Sequence, residues 1–121
     1  MPVRSLSSAV LKWPEAAQVR ASAERWAREL AGREPAVVGA GYFGSYARED
    51  FGVGSDLDLV VVVAESAEPF ERRAARWDTT GLPVPADLLV YTRAEWTALV
   101  GAHPRGTPLG VVRWVVDRDP R

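Results

Sequence analysis

The chain lacks cysteine altogether and contains a single histidine, His103. The absence of cysteine excludes disulfides and thiolate metal sites, and a lone histidine argues against a histidine-based zinc site. Any metal ion would therefore be bound by carboxylates, which suits magnesium or manganese. No signal peptide and no apolar run of about 18 residues is found, so the protein is expected to be cytoplasmic and not to span a membrane.

An excess of either charge is also missing. The chain carries 15 basic and 16 acidic residues, for a formal net charge of −1, and it has no basic tail. A nucleic-acid partner is therefore not expected. The length of 121 residues suits one compact domain, 1–121, and a hydrophobic content of 47% is typical of a globular chain.

The predicted elements alternate between helices and strands. Pro14 suits the first turn of the first helix, Gly32 is placed to end it, and a capping box begins the last helix at Thr92. Four consecutive valines in the second strand indicate burial on both faces. The order predicts an α/β (α+β) sandwich with one mixed sheet and flanking helices. Strands are predicted over 36–43, 57–63, 85–91 and 112–117, and helices over 14–31, 46–50, 68–80 and 92–100.

The stretch between the first two strands carries the strongest chemical signal. Gly44 and Ser45 form a turn, and Asp56 and Asp58 follow after ten residues at the start of a buried strand. Residues two apart on a strand share a face, so these carboxylates project together, with Cα atoms about 7 Å apart. Such a pair can bind one or two hard cations, as in two-metal phosphoryl-transfer sites. Asp87, the one acid inside the third strand, is the candidate for a third ligand.

Each of these residues also has an ordinary structural explanation. Asp56 and Asp58 could mark a solvated strand start, and Asp87 could be an exposed acid near a turn. Ser45 could be a helix cap, although a capped helix start can also bind an anion. Arg48 could contact a phosphate or form a surface ion pair. The turn, the acid pair and the later acid together favour the metal-site hypothesis.

A competing motif overlaps the turn. Residues 39–44 match G-x-G-x-x-G, and Glu65 follows about twenty residues later, as in dinucleotide-binding proteins. That site needs a full helix directly after Gly44, whereas Gly52 and Gly54 interrupt the segment. A phosphatase-like aspartyl nucleophile is also disfavoured, because there the apolar strand precedes the acids and here it follows them.

The spaced motif resembles the minimal nucleotidyltransferases of the DNA polymerase β-like superfamily. Their pattern is Gly-Ser, ten residues, Asp-x-Asp and a third acid on a later strand, and the resemblance covers roughly residues 36–91. It implies the nucleotidyltransferase fold. One departure is Glu49, where many members carry glycine after the arginine. The matching residues are Gly44, Ser45, Asp56, Asp58 and Asp87.

The resemblance further implies a nucleoside triphosphate, usually ATP, as the substrate. Gly44 and Ser45 would hold the β- and γ-phosphates, and Arg48 and Ser55 would be further nucleotide-binding residues. The nucleophile would be a hydroxyl that attacks the α-phosphorus and expels pyrophosphate. An anion cradle, divalent metals and an oriented hydroxyl are what such a displacement needs.

The same resemblance implies magnesium, with two ions expected and manganese as an alternative. Asp56 and Asp58 would bind the metals. Asp87 would share a metal and help to deprotonate the attacking hydroxyl. All three acids are therefore predicted to be both catalytic and metal-binding.

A protein partner is also implied. Small members of the family often look like antitoxins paired with a helical HEPN-type toxin, which they would neutralise by contact or by adenylylation. Relatives with other acceptors usually carry a second helical domain, so a protein acceptor and a hetero- or homo-oligomer are expected. The alternative is a binding protein with a vestigial site, against which the intact acids argue. Trp77 and Trp96 are predicted to be partly exposed, as suits an interface, and Trp26 and Trp114 to be in the core.

Overall fold

The structure is a computed structural model that describes residues 14–49 and 56–118. Within those ranges four strands form one mixed sheet in the order β3-β2-β1-β4. The predicted α/β architecture is confirmed, and each strand begins and ends within one residue of its predicted bounds. In chain order the elements are α1 (Ala16–Arg33), β1 (Val37–Phe43), α2 (Ser45–Arg48), β2 (Leu57–Val63), α3 (Phe70–Arg73), a 3₁₀ turn (Ala74–Arg76), β3 (Ala86–Thr92), α4 (Arg93–Ala102) and β4 (Val112–Asp117).

The strand pairings bring the predicted site to one end of the sheet. β1 runs antiparallel to β2 and β4, and β2 runs parallel to β3. Phe43, the last residue of β1, is the register partner of Asp58 and of Val112. Asp58 is in turn the register partner of Asp87. We call this end of the sheet the acid end; its residues of interest are Gly44, Ser45, Asp56, Asp58 and Asp87.

Helix α1 covers one face of the sheet. Its apolar residues recur at helical spacing, and Val19 and Ala23 pack with Leu57 and Leu59 of β2. The leucines of the Asp-x-Asp strand therefore point away from the acids and into the core, as the alternation of a strand requires. The helix does not end at Gly32 as predicted. It continues to Arg33, because the backbone N–H of the next residue still bonds to an oxygen one turn earlier.

Helix α4 covers the opposite face, the one from which Asp58 projects. The core there consists of Val60, Val62, Trp96 and Leu109. The Trp96 ring meets those of Tyr91 and Trp114 edge-on, with centroids 5.4 and 5.5 Å apart. The predicted capping box at Thr92 is present. No helix of the described ranges is long and apolar enough to cross a bilayer.

The tryptophans differ in part from prediction. Trp96 is 6% exposed, so the prediction that it contributes to an exposed interface is wrong. Its helix has charged neighbours, but Trp96 occupies the buried position of α4 and fills the space above β2. Trp77 is half-buried, and so are Trp26 and Trp114, which pack at the margins of the core.

The helix predicted over 68–80 is much shorter. Helical structure ends after α3 and the 3₁₀ turn. The carboxylate of Asp78 accepts hydrogen bonds from the N–H and the hydroxyl of Thr80, at 2.9 and 2.6 Å. Its backbone oxygen accepts one from the Trp26 indole at 3.0 Å. Such local side-chain bonding competes with helix hydrogen bonds, and here it ends the helix early.

Arg73 is a buried cation that joins α3, β3 and α4. Its guanidinium donates to both carboxylate oxygens of Glu95, at 2.6 and 3.0 Å. It also donates to the backbone oxygens of Glu68 and Val90, at 2.9 and 3.1 Å. The hydrogen bonds from Arg73 are the main reason that the pKa of Glu95 falls from 4.5 to about 2.

We expect Glu95→Gln to destabilise the fold by about 1 kcal/mol at neutral pH, since the carboxylate is partly exposed and therefore screened. The ionised carboxylate stabilises the protein above the unfolded-state pKa near 4.5, and this contribution is lost as the pH falls toward 2. Urea unfolding between pH 7 and pH 3 should therefore show a steeper acid loss in the wild type than in the variant. Glu29→Gln, at an exposed position of α1, serves as the control. Equal slopes in the wild type and Glu95→Gln would contradict the role of the pair.

Candidate functional site

Asp58 and Asp87 lie side by side at the acid end. They are register partners on the parallel strands β2 and β3, so their side chains project from the same face of neighbouring strands about 4.8 Å apart. Asp56 is exposed and directly precedes β2, two residues before Asp58. The sheet thus brings Asp87, the third predicted acid, beside Asp58.

The charge at this end is reflected in the pKa of Asp58, which is raised above its ordinary value of 3.8. Burial is the largest cause, and repulsion from Asp87 and then from Asp56 adds to it. Arg48 acts in the opposite direction. Neighbouring carboxylates that disfavour one another's charge are the setting in which a bound cation lowers the free energy.

The donor set fits a hard divalent cation, because carboxylate oxygens are the ligands that magnesium and manganese prefer. Among residues 14–49 and 56–118, however, no three acidic or histidine side chains are grouped tightly enough to hold a metal ion as they stand. Binding a cation would therefore require the three carboxylates to draw together.

Gly44 packs directly against Asp58. Its φ of 74° and ψ of −150° lie in a region that glycine adopts and other residues avoid. A Cβ atom built at Gly44 would overlap the Oδ2 atom of Asp58. The glycine of the Gly-Ser turn is therefore required by both backbone conformation and space, and it places the turn against a carboxylate.

Ser45 begins α2 and is half-buried, while Gly44 occupies the cap position before it. The alternative in which Ser45 caps the helix is therefore wrong. The backbone N–H groups of Ala47 and Arg48 donate to the oxygen of Gly44, at 3.1 and 3.0 Å, which closes the turn. Ser55, the remaining predicted nucleotide-binding residue, lies outside the described residues.

The dinucleotide-binding alternative does not agree with the topology. That motif needs two parallel strands joined by a crossover helix. Here β1 and β2 are antiparallel, and the helix after Gly44 spans only Ser45–Arg48. Glu65 follows β2 at the far end of the sheet from the acids. The glycines at 39 and 41 serve packing instead, since Cβ atoms there would press on β4.

Sequence reasoning missed Arg113, the second residue of β4. Its Nε donates to the backbone oxygen of Ala47 at 3.1 Å, and its Nη2 lies 3.6 Å from Oε2 of Glu49. The hydrogen-bonded residues are 66 positions apart in the chain. The sequence around Arg113 therefore gives no sign of this contact, because its partner is distant in the chain.

The fold is similar to that of a known crystal structure. A protein from Sulfolobus solfataricus, solved at 1.40 Å and provisionally described as a nucleotidyltransferase, matches with a TM-score of 0.55 at 22% sequence identity. The match covers 84% of this chain and 89% of that one. At this identity the likeness concerns the fold. No curated protein matches the chain significantly.

A family comparison reaches further, because it rests on the amino-acid sequence itself. The profile of the family described as "Nucleotidyltransferase domain" matches residues 23–105, which is more than half of the chain and includes the whole acid end. The resemblance seen in the spaced motif is thereby confirmed. The chain belongs to the nucleotidyltransferase domain family.

Proposed function

We propose that the protein is a metal-dependent nucleotidyltransferase that transfers AMP from ATP to a hydroxyl group. The observation that carries this proposal is the register pairing of Asp58 with Asp87 beside the Gly44 turn. In a member of the nucleotidyltransferase family, this arrangement puts the motif's turn and two of its acids at one end of the sheet.

The acids are proposed to have two roles. Asp56 and Asp58 would hold the two divalent cations, with Asp87 sharing one of them. A bound magnesium or manganese ion supplies charge neutralisation for the triphosphate. Asp87 would also accept the proton of the attacking hydroxyl, since it is the acid on the neighbouring strand and is exposed to solvent.

The turn is proposed to hold the β- and γ-phosphates. Ser45 offers a hydroxyl there, and Gly44, which has no side chain, lets the turn lie against the Asp58 carboxylate. Arg48 is exposed, and its charge opposes the rise in the pKa of Asp58, so the guanidinium lies at the same end of the sheet. The hydroxyl oxygen would form a bond to the α-phosphorus as the bond to pyrophosphate breaks, and the proton would pass to Asp87.

The acceptor is proposed to lie on a partner protein of the helical HEPN type. Three large apolar side chains of the described surface are exposed and offer contact area for a partner. The buried Trp96 does not contribute. The exposed residues are Phe70, Val100 and Val111, at 38%, 45% and 54%.

Labelled ATP tests the proposal. With magnesium and a candidate helical partner protein of the HEPN type, label from α-³²P-ATP should appear on a macromolecule, and label from γ-³²P-ATP should not. Transfer of the γ-label would indicate a kinase and contradict the proposal. Stable binding of the partner without any labelling would favour the binding protein with a vestigial site.

A further inference from the structure

Arg113 contacts the far end of the turn that carries Gly44. The backbone oxygen of Ala47, which accepts from Arg113, belongs to the last turn of α2. Oxygens at a helix C-terminus lack partners within the helix, and a cation near them is favourable. Because Arg113 also lies 3.6 Å from the Glu49 carboxylate, one guanidinium contacts both the end of α2 and the residue that follows.

Glu49 adopts a conformation that side chains rarely take. Its φ of 65° and ψ of 28° are left-handed, and among the described residues it is the one non-glycine with positive φ. In this conformation Cβ crowds the backbone, which is why glycine is the usual residue after a helix. Contacts from the surrounding structure must therefore hold Glu49 in the left-handed conformation. Arg113 makes one such contact, with the Glu49 carboxylate.

Gly44 is hydrogen-bonded to α2, so the two move together. The oxygen of Gly44 accepts the N–H groups of Ala47 and Arg48, so a shift of Ala47 displaces Gly44 as well. Gly44 in turn has no free space beside Asp58. A loosened exit from α2 would therefore disturb the turn without altering the acids themselves.

We propose that Arg113 and Glu49 form a clamp that fixes residues 44–48, and that Arg113 is thereby a positioning residue for the nucleotide. The ion pair is exposed and therefore weak alone, so the hydrogen bond from Arg113 to Ala47 is the stronger part of the clamp. The effect on nucleotide binding rests on the proposed function, whereas the effect on the turn does not.

Amide exchange measured by NMR tests the clamp without any nucleotide. Arg113→Met keeps most of the aliphatic stem and removes the guanidinium, so exchange at Ala47 and Arg48 should rise about tenfold. Arg118→Met is the matched control: Arg118 donates to the backbone oxygens of Val37 and Ala31, at 3.1 and 2.9 Å, beyond the other end of β4. Unchanged exchange in Arg113→Met, or an equal rise in the control, would overturn the clamp.

Two substitutions at Glu49 separate the carboxylate from the backbone. Glu49→Ala loses the ion pair and keeps the crowded Cβ, so exchange at Ala47 should rise. Glu49→Gly loses the same ion pair and adopts the left-handed conformation freely, so exchange should stay within about twofold of the wild type. Equal exchange rates at Ala47 in the two variants would show that the ion pair with Arg113 does not offset the strain of the left-handed glutamate.

Steady-state kinetics test whether Arg113 positions the nucleotide. Arg113→Met should raise KM for ATP about three- to tenfold with kcat nearly unchanged, since the acids remain. A merely less stable fold would lower kcat through loss of active protein and leave KM unchanged. An unchanged KM would overturn the positioning role. If the wild type transfers no label, the proposed function fails, while amide exchange still decides the clamp.

Discussion

Asp58→Asn is expected to lower AMP transfer by roughly 10³-fold or more, because it removes a charged ligand from the proposed metal site. Asparagine has nearly the same shape, so the backbone of β2 should stay in place. The rate of label transfer from α-³²P-ATP to the acceptor, at fixed magnesium, measures the effect. Asp117→Asn, at the last residue of β4, is the control and should transfer label at the wild-type rate.

The stability of the same variant separates loss of chemistry from loss of fold. Asp58 is partly buried, and it is repelled by Asp87 and Asp56, so its charge is unfavourable in the metal-free protein. Asp58→Asn should therefore unfold at the wild-type temperature or above it. An inactive variant that also unfolds at lower temperature would leave the fold, and not metal binding, as the cause. Labelling that survives the substitution would contradict the metal assignment.

Gly44→Ala should both destabilise the protein and remove most of its activity. The new Cβ would overlap the Asp58 carboxylate, and the residue would keep a φ of 74° that alanine avoids. Backbone strain and overpacking together are expected to lower the free energy of unfolding by about 2–4 kcal/mol. Displacement of the turn from Asp58 should reduce transfer about 100-fold or more in the fraction that remains folded.

Gly110 provides a matched control for this substitution. It has the same φ of 74°, and a Cβ atom there meets nothing within 4 Å. Gly110→Ala should therefore show the strain of a positive φ without any overlap, about 1–2 kcal/mol, and leave transfer unchanged. Chemical denaturation and the labelling assay together compare the two variants. If Gly44→Ala loses no more stability and no more transfer activity than Gly110→Ala, the contact between the turn and Asp58 contributes to neither.

Much of the acid end could be predicted because its signals are local. The valine run and the flanking turns define β2, and the i, i+2 spacing puts Asp56 and Asp58 together. Asp58 and Asp87 are each the second residue of their strands. Two strands that start at the same end of a sheet therefore bring these acids side by side, as the parallel register shows.

The features that could not be predicted depend on contacts between distant parts of the chain. The overlap of Gly44 with Asp58 follows from how the turn packs, not from any local pattern. Arg73 donates its hydrogen bonds to oxygens of β3 and α4, which are distant in the chain. Its own sequence context therefore resembles that of a surface arginine. The prediction of a helix over 68–80 is wrong at its C-terminal end, because the sequence does not reveal the competing hydrogen bonds of Asp78.

The most direct test of the central claim is to locate the metal. Amide NMR spectra recorded with ATP and substoichiometric Mn²⁺ should lose intensity first at Gly44, Asp58 and Asp87. Signals of Val63 and Thr92, register partners five residues further along β2 and β3, should lose it last. Asp58→Asn should abolish this selectivity. Broadening that is uniform, or strongest at the far end of the sheet, would contradict a carboxylate metal site beside the Gly-Ser turn.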